Sequence, residues 1–379
     1  MEYPRSTMPI LPMDPKATFI AHRDEILEAV TRVLDGGRYI LGDETKAFER
    51  EFAAHAGASH GIGVASGTDA LQVGLRAMGI GPGDAVLTVS HTAVATVAAI
   101  EMTGATPVLV DIDAATMNMS PQSLRETIEV YAGVYRLKAV VPVHLYGHPA
   151  DMPAILEIAR EHGLLVLEDC AQAHGAAIDG KRVGGFGAAA AFSFYPTKNL
   201  GAFGDGGAIV TNDTGIADRA RALREYGWRD RYISADAGVN SRLDELHAAM
   251  LRVKLRYLDA ENERRRQIAL AYRVALEGSA LSLPAEQPGA HHVYHLYVIR
   301  TVHRDRLQKH LSGSDVITLV HYPQPVHLQP AYRERVPVAP GGLPVTEQVC
   351  REILSLPMHP YLSDEDVAEV CEALLSFEG

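Results

Sequence analysis

The sequence predicts an α/β protein in which a large, mostly parallel sheet, covered by helices on both faces, is followed by a smaller α+β domain. Three observations predict it. Between residues 85 and 211, short apolar runs alternate with longer amphipathic ones, the pattern of buried strands joined by crossover helices. A long charged stretch with helical spacing, 242–276, comes next. After residue 280 the texture changes to a strand-like His295-Leu296-Tyr297-Val298-Ile299-Arg300, several prolines and a loop rich in His and Tyr. A chain of 379 residues is long enough for both domains.

Taken in order, residues 1–20 are rich in Pro and Met and read as an extended N-terminal arm. Residues 21–251 form the large domain and 252–379 the smaller one, with the long charged helix bridging them. A helix is expected over 22–34, stopped by Gly36 and Gly37. Strands are expected over 85–89, 107–110, 139–143, 164–168, 190–194 and 208–211. Helices are expected between them, over 68–78, 93–102, 123–131, 152–161 and 216–226. Open sheets of this kind bind ligands where strands run into loops at their carboxyl ends, so the chemistry belongs there.

Composition narrows the function. A formal charge of −12, from 35 basic and 47 acidic side chains, excludes an extended nucleic-acid footprint, which needs a basic surface. A local basic pocket for one small anion is still compatible with it. The three cysteines form no CxxC pair, and the seventeen histidines no HExxH spacing, so no metal site is expected. His291 and His292 read as a surface pair. No apolar run reaches the ~18 residues that span a bilayer, and the N-terminus lacks a signal-peptide pattern, so a cytoplasmic enzyme is expected.

Three motifs carry chemistry. Ser66-Gly67-Thr68-Asp69 opens a helix; it is either a capping box or a phosphate grip by the free N–H groups of Gly67 and Thr68. The second, Leu167-Glu168-Asp169-Cys170-Ala171-Gln172-Ala173-His174-Gly175, ends a buried strand in an acid, which needs a cationic partner such as a protonated pyridine nitrogen. The third, Ser193-Phe194-Tyr195-Pro196-Thr197-Lys198-Asn199-Leu200-Gly201, puts a lysine just after a strand, and Gly204-Asp205-Gly206-Gly207 lets the backbone approach a ligand. A lysine that forms a Schiff base must spend time deprotonated, which a crevice with other positive charge favours.

Together these motifs, with the later Gly238-Val239-Asn240-Ser241-Arg242-Leu243-Asp244-Glu245-Leu246-His247, resemble the DegT/StrS family of sugar aminotransferases over nearly the whole chain. The resemblance implies the fold-type-I architecture of pyridoxal 5'-phosphate (PLP) enzymes, with a seven-stranded sheet. It implies Lys198 as the Schiff-base lysine, Asp169 paired with the pyridine N–H, and Gln172 near the ring hydroxyl. Gly67, Thr68 and Ser193 would hold the phosphate. The site would be shared across a homodimer, with Asn240 reaching the partner's phosphate and Arg242 facing the neighbouring site. Family members usually place an aromatic residue at the position of Ala93 to stack on the ring. Ala93 cannot stack; His91 is the candidate to replace it, with a hydrogen bond inside the loop as its other role.

The implied reaction is ping-pong transfer of an amino group from L-glutamate to a nucleotide-linked keto-sugar, with Lys198 moving the proton. The loop from Ile317 to Tyr332 resembles the substrate loop of enzymes acting on dTDP-linked 3-keto-deoxyhexoses. It makes His321, Tyr322 and His327 expected substrate contacts, with Tyr232 a further one. The alternatives are a 4-keto-sugar or cyclitol (scyllo-inosose) aminotransferase of the same family, or a PLP-binding regulator without turnover. A sugar dehydratase would have histidine where Lys198 stands.

Overall fold

The computed structural model describes residues 9–378. Seven strands make the main sheet. In chain order they are β1 (His60–Val64), β2 (Asp84–Val89), β3 (Thr106–Val110), β4 (Arg136–Val141) and β5 (Leu165–Asp169). After a small hairpin, β6 (Ala177–Ile178) and β7 (Lys181–Arg182), come β8 (Ala189–Ser193) and β9 (Gly207–Thr211). Their spatial order is β1-β9-β8-β5-β4-β2-β3, parallel except for β9, which runs antiparallel to both neighbours.

Helices cover both faces, as a parallel sheet requires. Alternation along β2 sends Leu87 and Val89 to one side, onto Leu124 and Ile128 of α6 (Pro121–Tyr131) and Ile155 of α7 (Met152–Glu161). Val86 faces the other side, with Leu71 and Leu75 of α4 (Gly67–Ala77), Ile100 of α5 (Val94–Met102) and Ala220 of α8 (Thr214–Leu223). A hairpin, β10 (Trp228–Asp230) and β11 (Ile233–Ser234), follows α8. The C-terminal region pairs β13 (Tyr297–Arg300) with β14 (Ile353–Leu356), and β12 (Ala290–His291) joins the small β6–β7 hairpin. A separate core of Tyr272, Tyr297, Leu307, Leu354 and Val370 forms between β13–β14 and α10 (Leu258–Ala275), α11 (Arg304–Ser312) and α13 (Asp364–Leu375).

Four local readings are corrected. Residues 15–21 are helical (α1, Pro15–Ala21, capped by the Asp14 side chain), not extended, and residues 1–8 lie outside the described residues. The next helix is α2 (Arg23–Gly36), ended by Gly37 in the left-handed conformation. The 242–276 helix is two helices, α9 (Glu245–Leu255) and α10, broken where Tyr257 stacks on His22 and donates to Glu25. No Gly or Pro marks that break, so nothing in the sequence announces it. Strand β1 was not expected: its two glycines interrupt the apolar pattern. They are there because a Cβ on Gly61 would sit 2.3 Å from the Glu49 carbonyl of α3 (Asp43–His55), and one on Gly63 2.8 Å from Leu243. Last, only His291 of the supposed surface pair is exposed; His292 is buried and stacks on Tyr294 at 3.8 Å.

Candidate active site

The parallel strands deliver their carboxyl ends to one edge of the sheet. Ser90 and His91 leave β2, His144 to Gly147 leave β4, Asp169 ends β5, and Ser193 ends β8. The lysine loop after β8 is held by backbone bonds from Lys198 N to the Tyr195 carbonyl (2.9 Å) and from Ala202 N to the Phe194 carbonyl (2.7 Å). Asn199 fastens it to the C-terminal region, donating to Asn262 (2.8 Å) and to the Val293 carbonyl (3.0 Å). The buried amine of Lys254 donates to the Gly201 carbonyl on the far side.

Lys198 and Asp169 face each other electrostatically in this crevice. Burial pulls the Lys198 amine down to about 8, with the Asp169 charge opposing it. Burial likewise raises the Asp169 carboxyl above its ordinary value, against the hydroxyl of Thr96 (2.8 Å), the Ala171 N–H (3.1 Å) and the Lys198 charge. Each group is therefore short of counter-charge. A buried carboxylate in this condition has room for one more cationic donor, as a protonated pyridine ring supplies.

The helix end beside them fits a phosphate. Ser66 caps α4 by accepting from the Asp69 N–H (3.1 Å), but the reciprocal half of a capping box is missing. The Asp69 carboxylate instead accepts from Ser241 (2.8 Å). A Cβ on Gly67 would lie 2.5 Å from the Ser193 Cβ, and one on Gly207 2.3 Å from the Ser66 carbonyl. Bare backbone at Gly67 and Gly207 thus lets Ser193, Gly67 and Thr68 stand together at the positive end of α4. The residues present fit PLP at both its ring nitrogen and its phosphate.

The other expected residues fall into two groups. Gln172, His91, His321 and Tyr322 come together. Gln172 accepts from Tyr146 N (2.7 Å) and donates to the Tyr322 hydroxyl (3.1 Å), while His321 Nδ1 meets Ser355 Oγ at 2.9 Å. His321 is held down to about 4 by burial and then by the Lys198 charge. His91 has both ring nitrogens engaged, Nε2 with Tyr146 (2.8 Å) and Nδ1 with Cys350 (3.3 Å). His327 packs at the rim, bonded to Ser90 (2.8 Å) and near Glu347 (3.4 Å). Tyr232, Asn240 and Arg242 are not drawn into this chain's crevice by any hydrogen bond among the described residues. Tyr232 is 72% exposed between β10 and β11, against Trp228 and Arg231; Asn240 is exposed and Arg242 half-buried.

The DegT/DnrJ/EryC1/StrS aminotransferase family model matches residues 21–375. The chain belongs to that family. The aminotransferase is 47% identical over 372 residues to the dTDP-3-amino-3,4,6-trideoxy-alpha-D-glucose transaminase of Streptomyces venezuelae, covering 98% of this chain and 97% of that one. It is also 47% identical to the dTDP-3-amino-3,6-dideoxy-alpha-D-galactopyranose transaminase of Aneurinibacillus thermoaerophilus, over 96% of this chain and 98% of that one. The crystal structure of S. venezuelae DesV in complex with a ketimine intermediate superposes with a TM-score of 0.93, at 47% identity, over 97% of this chain and 98% of that one.

Four residues of the aminotransferase's crevice escaped the sequence reading. Thr96 holds Asp169, Tyr146 bridges three segments, and His174 and His295 lie where the Lys198 charge acts on them. Tyr146 follows the carboxyl end of a recognised strand, so strand-end logic could have found it; Thr96, inside a helix, gave no signal. The sequence predicts no metal-ligand set beside the acid. His144, Glu168 and Cys170 place ligand-type atoms within 4.8 Å of one another. Two of the three are already committed: His144 Nδ1 accepts from Ala150 N (2.9 Å), leaving Nε2–H to donate to Glu168 (3.2 Å). Glu168 takes three further bonds from Gly184, Phe186 and Gly187 N–H groups. This cluster holds the strand end together.

Proposed function

We propose that this chain is a PLP-dependent aminotransferase that moves the amino group of L-glutamate onto a nucleotide-linked keto-sugar, a dTDP-3-keto-6-deoxyhexose. The observation that carries the reading is the Lys198–Asp169 pair, two buried groups of opposite charge that both lack full compensation at the ligand edge of the sheet. When bound, PLP supplies an electron sink for the carbanion at the donor's Cα. The chain's residues do the rest. Asp169 would keep the pyridine nitrogen protonated, Gln172 would pair with the ring hydroxyl, and Gly67, Thr68 and Ser193 would hold the phosphate.

Lys198 Nζ takes the Cα proton from the donor, and burial suits it to this by enlarging the fraction of neutral amine near neutral pH. His321 and Tyr322 line the side from which the acceptor enters, with His327 at the rim. The relatives at 47% identity named for dTDP-3-amino sugars support the carrier and the 3-position. We further propose a cytoplasmic homodimer in which Asn240, Arg242 and Tyr232 complete the partner's site.

The direct test incubates the protein with PLP, L-glutamate and dTDP-, UDP- or GDP-linked keto-sugars and reads the products by mass spectrometry. A dTDP-amino sugar is expected. Amination of scyllo-inosose, with no nucleotide sugar accepted, would replace the carrier reading. For the shared site, mixing Lys198→Ala with Asn240→Ala subunits should restore activity in heterodimers, and no recovery would contradict it.

A further inference from the structure

We infer that Tyr146 is a positioning residue that clamps the His321–Tyr322 segment of the C-terminal region onto the cofactor crevice and thereby sets the affinity for the acceptor. The inference rests on the acceptor reading of His321 and Tyr322 given above.

Tyr146 is 3% exposed and has φ 59°, ψ 5°, a left-handed conformation that costs a bulky side chain energy. Its polar atoms account for that conformation. Its N–H donates to Gln172 Oε1 (2.7 Å), and Gln172 Nε2 in turn donates to the Tyr322 hydroxyl (3.1 Å). Its hydroxyl touches both the His321 carbonyl and His91 Nε2.

The proton count fixes the direction of these bonds. A carbonyl only accepts, so the single Tyr146 proton goes to His321, and Tyr146 accepts from His91 Nε2–H. His91 Nδ1 is then bare and accepts from the Cys350 thiol (3.3 Å). The chain runs one way: Cys350 S–H to His91, His91 N–H to Tyr146, Tyr146 O–H to the His321 carbonyl. Tyr146 therefore grips the dipeptide at both residues, His321 through its hydroxyl and Tyr322 through Gln172. Cys350, in α12 (Pro344–Glu352), selects the His91 tautomer that keeps the grip. Without that thiol His91 is free to carry its proton on Nδ1, and its Nε2 then competes with His321 for the Tyr146 proton.

Tyr146→Phe removes only the hydroxyl; Gln172 keeps its bond from the backbone. In the apo-protein, amide hydrogen exchange of a peptide covering 317–325 should become faster in the variant while exchange in β5 and β8 is unchanged. In the loaded enzyme the glutamate half-reaction should keep its rate within about twofold. The KM for the keto-sugar should rise about tenfold, the weight of one such hydrogen bond.

Unchanged exchange over 317–325, or an equal loss in both half-reactions, would overturn the inference. Should Tyr146→Phe fail to fold, Cys350→Ala decides. A two- to threefold rise in keto-sugar KM with the glutamate half-reaction intact supports the clamp, and an unchanged KM refutes it. If the wild-type protein aminates no keto-sugar, the functional reading fails, and the exchange measurement alone still decides the clamp.

Discussion

Glu168 accepts hydrogen bonds from His144, Gly184, Phe186 and Gly187, whereas among the described residues its neighbour Asp169 accepts only from Thr96 and Ala171. Burial works to raise both carboxyls. It is outweighed at Glu168, where His144 leads the opposing contributions, and it prevails at Asp169. The two acids therefore have opposite mutational signatures. Glu168→Gln leaves at least one buried N–H facing an amide that cannot serve it, and should destabilise the apo-protein by about 2–3 kcal/mol in a denaturant titration. Asp169→Asn should leave the apo-protein as stable as wild type. It should slow the glutamate half-reaction at least ~10²-fold, the scale of losing one charge poised at the reacting group. A destabilised Asp169→Asn with normal turnover would reverse the assignment. Lys198→Ala should cost ~10²–10⁴-fold in the same assay, because its amine is the group proposed to move the proton.

The elements that matter to the site are held by close backbone approaches. A methyl group on Gly207 would meet the Ser66 carbonyl at 2.3 Å, with no flexible atom to give way. Gly207→Ala should cost about 1–3 kcal/mol and weaken phosphate-dependent cofactor binding, read as a raised Kd for PLP. Gly133→Ala, where nothing lies within 4 Å, should change stability by less than about 0.5 kcal/mol. A Gly207→Ala protein as stable and as tightly loaded as wild type would contradict the cradle. The same contacts explain what the sequence could show. Fully buried strands such as β2 and β9 announce themselves as apolar runs, and six of the seven were legible. Strand β1 was not, because Gly61 and Gly63 serve contacts with Glu49 and Leu243 that lie far off in the chain or across a helix. Asp169 and Ser193 were legible because they end strands, and Lys198 because it sits in the loop just after one. Thr96, Tyr146 and Cys350 act through partners dozens to hundreds of residues away, and spacing carries no record of that.

At the scale of the whole molecule, the structure stores many histidines in their neutral form. Burial is the first cause at each: it holds His91 and His174 at about 3 and His359 at about 4, and it lowers His148, His292 and His295 as well. Unfolded, each would titrate near its ordinary value of 6.5. Below that pH the unfolded chain binds protons that the folded chain refuses, so stability falls as pH drops through 6.5 and keeps falling toward the folded values. Each such histidine contributes about 1.4 kcal/mol per pH unit within that window. The urea midpoint of the apo-protein should therefore drop steeply on going from about pH 7 to about pH 5. A flat midpoint would mean that these side chains are not buried as the structure has them. Among the described residues no helix is long and apolar enough to cross a membrane, yet Tyr226, Tyr232 and Ile233 stand exposed, a surface that the proposed homodimer would use.

If Lys198 and Asp169 hold PLP for amino transfer, the absorption spectrum of the purified protein will report it. Wild-type protein loaded with PLP should show a visible band that moves to the near ultraviolet on adding L-glutamate. Lys198→Ala should bind the cofactor without forming a borohydride-reducible covalent link. A protein that stays colourless with added PLP, or whose band ignores L-glutamate and every other amino donor, would contradict the account.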